Sequence, residues 1–123
     1  MAMIIQTIDG VVVNRYEIGD KPVTFGRTPE NDIQIDDRAV SNRHAEVVRE
    51  DDDKGSASYY LVDLGSTNGS FVNDIMVGKK PLKHRDKIRI GWNDFTFFDE
   101  SAAGFEETSQ VRKSWIPGIY YSK

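Results

Sequence analysis

The sequence contains no cysteine and only two histidines in 123 residues. The first absence excludes a disulfide framework and a thiolate zinc site. The second leaves too few imidazoles for a His-rich metal centre, so neither metal nor cofactor is expected. No apolar run approaches membrane-spanning length; the longest are pieces such as YYLV at 59–62 and FTFF at 95–98. The opening MAMIIQTIDG lacks a basic stretch followed by a long apolar core and does not read as a signal peptide. Basic charge is also short, with 16 Lys and Arg against 20 Asp and Glu, a formal net charge of −4. A net acidic chain is a poor non-specific ligand for nucleic acid, although a local basic spot can still hold one anion. Together these absences lead to the expectation of a cytoplasmic protein that engages neither membrane nor nucleic acid.

What is present suits a soluble globular domain: 38% hydrophobic and 29% charged residues, in a chain long enough for one core without covalent staples. The apolar pattern has period two and never runs long enough for a helix. Ile33 and Ile35 alternate with Asp32, Gln34 and Asp36, and Ile88 and Ile90 alternate with Lys87 and Arg89. Turn clusters punctuate the runs at 9–10, 19–22, 28–32, 51–58, 65–69, 72–74 and 91–94. About ten short strands separated in this way predict an all-β, two-sheet sandwich. A closed barrel such as an OB-fold competes, but usually has fewer strands and often a helix. Pro22 is placed to start a strand, with Pro29 and Pro81 in turns. YYLVDL alternates poorly, so its buried face stays undecided. The pattern decays after residue 100, which divides the chain into a sandwich domain at 1–100 and a C-terminal extension at 101–123. The extension is rich in large apolar side chains (Phe105, Trp115, Ile116, Ile119, Tyr120, Tyr121) and is read as a docking or regulatory segment.

The loops hold the residues with chemistry to offer. A phosphate ester on a peptide needs several converging donors with a permanent cation among them. Arg27 supplies a planar fork that stays protonated. Ser41 and Thr67 offer hydroxyls, and Asn68 offers both a donor and an acceptor suited to a peptide backbone. Gly26 and Gly69 permit sharp turns or close approach. Charge-assisted hydrogen bonds of about 1.5–3 kcal/mol each, set against an association cost of ~4–15 kcal/mol, predict micromolar binding.

Taken singly, each residue has an ordinary reading. Asn68-Gly69 between two apolar runs is a strong signal for a tight hairpin turn. Arg27 can be one more exposed charge, Ser41 can bond its own backbone, and His44 reads as a hydrogen-bonded, partly buried imidazole.

The combination carries more. Gly26-Arg27, NDIQIDD at 31–37, Ser41-x-x-His44-Ala45, LVDLGSTNGSFVN at 61–73 and KIRIG at 87–91 together resemble the forkhead-associated (FHA) domain, over residues from about 20 to 98. The resemblance implies an eleven-stranded β-sandwich whose apical loops bind phosphothreonine peptides. It implies phosphate contacts from Arg27 and Ser41, assisted by Thr67, with Asn68 on the peptide backbone and Gly26, His44 and Gly69 supporting the loops. Two positions depart from the family pattern. Asn42 stands where many members have Arg or Lys and contributes only a neutral donor, and Arg85-Asp86 stands where Gly-Asp is frequent. The family's preference for threonine implies a small pocket for the γ-methyl, worth only ~0.8 kcal/mol by burial.

The implied function is an adaptor without catalytic activity, bound to a phosphothreonine-containing partner downstream of a Ser/Thr kinase. In the extension, FEETSQVR resembles the acidic Thr-containing segment of small bacterial FHA regulators, which docks on its own domain once phosphorylated. Thr108 is therefore a candidate phosphosite, with self-association through the tail as one consequence. Two rival classes are weighed against this. A hydrolase built on Ser41 and His44, with Asp63 or Asp86 as orienting acid, is disfavoured by their spacing along an extended segment and by the lack of a nucleophile elbow. GSTNGS also lacks the Lys of a nucleotide-binding P-loop. An interaction scaffold that reads no phosphate is the alternative, opposed by the joint presence of Arg27, Ser41 and Asn68.

Overall fold

The computed structural model describes residues 2–100, and eleven strands form its regular structure. In chain order they are β1 (Ala2–Ile8), β2 (Val11–Ile18), β3 (Val23–Gly26), β4 (Ile33–Gln34), β5 (Ala45–Asp51) and β6 (Ala57–Asp63). These are followed by β7 (Ser70–Val72), β8 (Ile75–Val77), β9 (Lys79–Pro81), β10 (Lys87–Ile90) and β11 (Asn93–Asp99). A six-stranded sheet has the order β2-β1-β11-β10-β7-β8, and a five-stranded sheet the order β4-β3-β5-β6-β9. The period-two pattern thus led to the right class, a sandwich rather than a barrel. All pairings are antiparallel except β3 with β4, which run parallel.

Alternation explains the layers. Ile4, Phe25, Val47, Leu61, Ile88, Ile90, Phe95 and Phe97 point between the sheets and are fully buried. Phe25 meets Phe95 edge-on across the sheets at 5.2 Å. Burying each such side chain stabilises the fold by about 1.5–3 kcal/mol. In β6 the undecided face resolves: Tyr59 and Leu61 are buried and Tyr60 is half-buried, with Asp63 ending the inward row. The exposed ion pairs, such as Arg49 with Asp20, add little.

Two tight hairpins use left-handed residue pairs, Asp9-Gly10 (φ 52° and 80°) and Asn73-Asp74 (φ 50° and 69°). Asn68-Gly69 is not a hairpin of this kind. It lies in a connection that leaves β6 in one sheet and enters β7 in the other. Pro81 is also not in a turn; it ends the edge strand β9, paired with Tyr60, where a missing N–H does little harm. Arg85 takes the glycine role outright at φ 76°. The loop keeps its shape through Arg85 N–H to the Phe97 carbonyl at 2.7 Å and Lys83 N–H to the Asp86 carboxylate at 2.8 Å.

Strand directions gather the connections 27–32, 35–44, 64–69 and 91–92 at one end of the sandwich. Asp99, the last residue of β11, pairs with Ala2 at the opposite end.

Candidate functional site

The local build of the apex begins at Gly26. A Cβ there would sit 2.1 Å from the Asn42 carbonyl oxygen and 2.4 Å from Asn31 Nδ2, so only glycine fits. Buried Asn31 fills that space. Its Nδ2 donates to the Asn42 carbonyl at 2.8 Å and to the Thr28 carbonyl at 3.0 Å, with Thr28 Oγ1 at 3.1 Å. The loop after β3 is thereby laced to the segment that carries Ser41. Arg27 completes the join: its N–H donates to the Ser41 carbonyl at 3.0 Å, and its own carbonyl accepts from Gln34 Nε2 at 3.2 Å. The Arg27 main chain is held while its guanidinium is exposed and has no side-chain partner among the described residues.

His44 is completely buried and ties two loops together. Its Nδ1 lies 3.1 Å from the Ser41 N–H and its Nε2 lies 2.8 Å from the Gly69 carbonyl oxygen. A backbone N–H can only donate, so Nδ1 is the acceptor and Nε2 carries the proton given to Gly69. Imidazole burial is more complete than the sequence suggested, and both nitrogens serve loop geometry.

Residues 64–69 wind around Asp63. One carboxylate oxygen accepts from the N–H groups of Gly65 and Ser66 at 3.1 and 3.0 Å. The other accepts from the hydroxyls of Ser66 and Ser70 at 2.6 and 2.7 Å. Burial pushes the Asp63 pKa upward, but the hydrogen bonds from Ser66, Ser70 and Gly65 outweigh it and hold the carboxyl below its ordinary 3.8. Gly69, at φ 88°, then turns the chain into β7.

The two loops meet at Ser41. Its Oγ accepts the Thr67 N–H at 3.1 Å, which leaves the hydroxyl hydrogen free to donate outward. This replaces the expectation that Ser41 bonds within its own turn. Thr67 acts here through its backbone, and its side chain is exposed. Asn68 Nδ2 donates to the Ala39 carbonyl at 2.9 Å, so its Oδ1 and second N–H face outward. Asn42 is anchored by its carbonyl and exposes its side chain beside Arg43.

All eight residues singled out in the apical loops (Gly26, Arg27, Ser41, Asn42, His44, Thr67, Asn68 and Gly69) therefore share one end of the sandwich. Thr108 lies outside the described residues. Asn31 was missed because its bond to the Asn42 carbonyl joins two loops and leaves no local spacing signal. Asp63 was considered only as a catalytic acid, although its bonds to Gly65 and Ser66 are those of a local Asx-type turn that the Asp-x-Gly-Ser spacing could have marked. A groove of about 700 Å³ runs nearby along the seam between β2 and β4, lined by Asn14, Tyr16, Gln34, Asp37 and Trp92; it contains none of the eight. Among the described residues, no cluster of three or more His, Asp or Glu is arranged to hold a metal ion, and no helix is long and apolar enough to cross a membrane.

Comparison with known proteins agrees with the sandwich fold. The family model for the FHA domain matches residues 23–91. The oxoglutarate dehydrogenase inhibitor of Corynebacterium diphtheriae is 44% identical over 73 residues, covering 58% of this chain and 48% of that protein. The glycogen accumulation regulator GarA of Mycolicibacterium smegmatis is 41% identical over 73 residues, covering 58% of this chain and 43% of its own length. The chain thus matches about half the length of these curated relatives or less. A solved structure from a study of phosphothreonine-dependent FHA domain interactions superposes with a TM-score of 0.67 at 26% identity, covering 80% of this chain and 95% of that one. The match over residues 23–91, on a sandwich whose apical loops carry the family's Gly-Arg, Ser-x-x-His and Asn-Gly elements, makes this chain a member of the FHA domain family.

Proposed function

We propose that the apical loops bind a phosphothreonine-containing segment of a partner protein and that the chain acts as an adaptor downstream of a Ser/Thr kinase in the cytoplasm. The observation that carries this reading is a contrast within one surface: the loop backbones are hydrogen-bonded to one another, while the Arg27 guanidinium, the Ser41 hydroxyl hydrogen and the outer half of the Asn68 amide are unspent. Donors held in advance lower the ordering cost of capturing a dianion. Arg27 forks onto phosphate oxygens, Ser41 and Thr67 donate hydroxyls, Asn42 adds a neutral donor, and Asn68 grips the peptide backbone. Support also comes from the relative described in terms of phosphothreonine-dependent interactions.

Fluorescence anisotropy with degenerate phosphothreonine, phosphoserine and unphosphorylated peptides tests this, using wild type and Ser41→Ala. Binding that needs the phosphate and weakens in Ser41→Ala supports the reading. Equal binding of unphosphorylated peptides favours the phosphate-independent scaffold instead.

Self-regulation through Thr108 belongs to the same reading. Thr108 lies nine positions beyond Asp99, within about 30 Å of extended chain. Asp99 sits at the end of the sandwich away from the apical loops, and β11 alone spans about 20 Å of that distance. Docking within one chain is therefore close to the limit of reach, and docking between two chains is free of it. Stoichiometric phosphorylation of Thr108 should block competitor peptides; unchanged competitor binding counts against regulation.

The hydrolase reading has a specific obstacle. Both His44 nitrogens are taken by backbone groups, and Asp63 and Asp86 bond elsewhere. His44 has no nitrogen left for Ser41 Oγ, so the pair does not form a nucleophile and base.

A further inference from the structure

Among the described residues the two sheets have four edge strands, β2, β8, β4 and β9. Three are protected by shortness, with three, two and three residues respectively. β2 is the exception at eight residues, and among the described residues it is bonded on one side only, to β1. Its lower half carries the charged guards Arg15 and Glu17, but its upper half is Val11-Val12-Val13, exposed at 62%, 41% and 43%. Ile8 on the adjoining strand is 55% exposed, and Trp92 on the neighbouring turn is 84% exposed. A long, unguarded apolar edge of this kind pairs with another strand.

We propose that β2 is covered by the chain's own C-terminal segment, with the stretch Trp115–Tyr121 against Val11–Val13. This does not rest on the phosphothreonine reading and holds whether or not Thr108 is modified. The argument is one of direction, length and composition. β11 and β2 are both antiparallel to β1, so a chain turning back from Asp99 runs antiparallel along β2. It starts at the correct end, because Ala2 pairs with both Asp99 and Ile18. Moving past β1 and β2 takes about three strand spacings, ~14 Å, and following β2 to its upper end takes ~26 Å. Residues 101–114 extend to about 46 Å against a path of ~40 Å, so Trp115 reaches the valines with under about two residues of slack. Trp115, Ile116, Ile119, Tyr120 and Tyr121 then supply the apolar surface that the exposed valines lack.

Hydrogen exchange on the full chain, at two protein concentrations, tests this against Trp115→Ala/Ile119→Ser/Tyr120→Ser and, separately, Val12→Lys. The expected result is exchange across 11–18 about tenfold faster in the tail variant, with β5 and β6 unchanged. In Val12→Lys the amides of 115–121 should lose their protection by a similar factor. Identical exchange across 11–18 in wild type and tail variant overturns the proposal. Protection of β2 that grows with protein concentration also overturns it, because the cover is then a second copy of the chain.

Discussion

His44 bridges Ser41 and Gly69: one imidazole nitrogen accepts the Ser41 N–H at 3.1 Å and the other lies 2.8 Å from the Gly69 carbonyl. The residue before Gly69 is Asn68, so one buried ring sets the relation between the loop that carries Ser41 and the loop that carries Asn68. His44→Ala leaves two backbone groups unsatisfied and opens a cavity. We expect a loss of about 2–5 kcal/mol in urea unfolding, together with weaker phosphopeptide binding. Unchanged stability would remove His44 from this role.

Gly26→Ala should be worse than its size suggests. The added methyl would fall 2.1 Å from the Asn42 carbonyl oxygen, backbone that cannot swing aside. Separation of the two loops is the expected relief. The variant should lose about 2 kcal/mol or more and most of its peptide affinity, read by thermal unfolding and anisotropy together.

Arg85→Gly should stabilise the protein. Arg85 sits at φ 76°, a conformation that costs a side-chain-bearing residue about 1–2 kcal/mol. Glycine pays no steric penalty there but loses more chain entropy, so a net gain of about 1 kcal/mol is expected. A urea midpoint equal to or below wild type would show that the strain is already relieved.

These last two cases show what could be read in advance. The Gly-Arg and Gly-Asp patterns of the family mark both positions in sequence, and the Arg85 departure was visible there. That Arg85 would adopt the glycine conformation rather than reshape the loop was not visible, since it depends on the Phe97 and Asp86 bonds across the fold. Strand alternation was legible at Ile33/Ile35 and Ile88/Ile90 because each strand has one wet and one dry side. It failed at YYLVDL, where Tyr60 and Val62 are half-buried on the outer face. Asn31 and Asp63 drew no structural role in the sequence because one sits in an ordinary turn cluster and the other lies near the end of the apolar run YYLVDL, where it reads as a strand end. Tertiary packing sets the Asn31 bond to Asn42, eleven residues away, whereas Asp63 bonds locally to Gly65 and Ser66 and reaches Ser70 only seven residues on.

Stability should fall in mildly acidic solution through His84. Its Nδ1 accepts the Asp99 N–H at 3.1 Å. Burial lowers its pKa from the ordinary 6.5, the Arg85 charge adds to this, and Asp99 opposes it. The unfolded chain therefore takes up the proton at higher pH than the folded one. His84 favours folding above its ordinary pKa, and that contribution is lost as pH falls through 6.5 toward the lower folded value. The melting temperature should drop between about pH 7.5 and about pH 5.5, and His84→Gln should shrink the drop. An equal drop in the variant would assign the effect to other groups.

The central claim, that these loops read phosphate through Arg27, is tested most directly by isothermal titration. A phosphothreonine peptide selected from the degenerate pool, and its unphosphorylated twin, would be titrated into wild type and Arg27→Ala at one salt concentration. The account predicts phosphate-dependent binding to wild type, weakened by about tenfold or more in Arg27→Ala, since charged hydrogen bonds contribute ~1.5–3 kcal/mol. Equal affinity of the two proteins for the phosphopeptide, or of wild type for the two peptides, would contradict it.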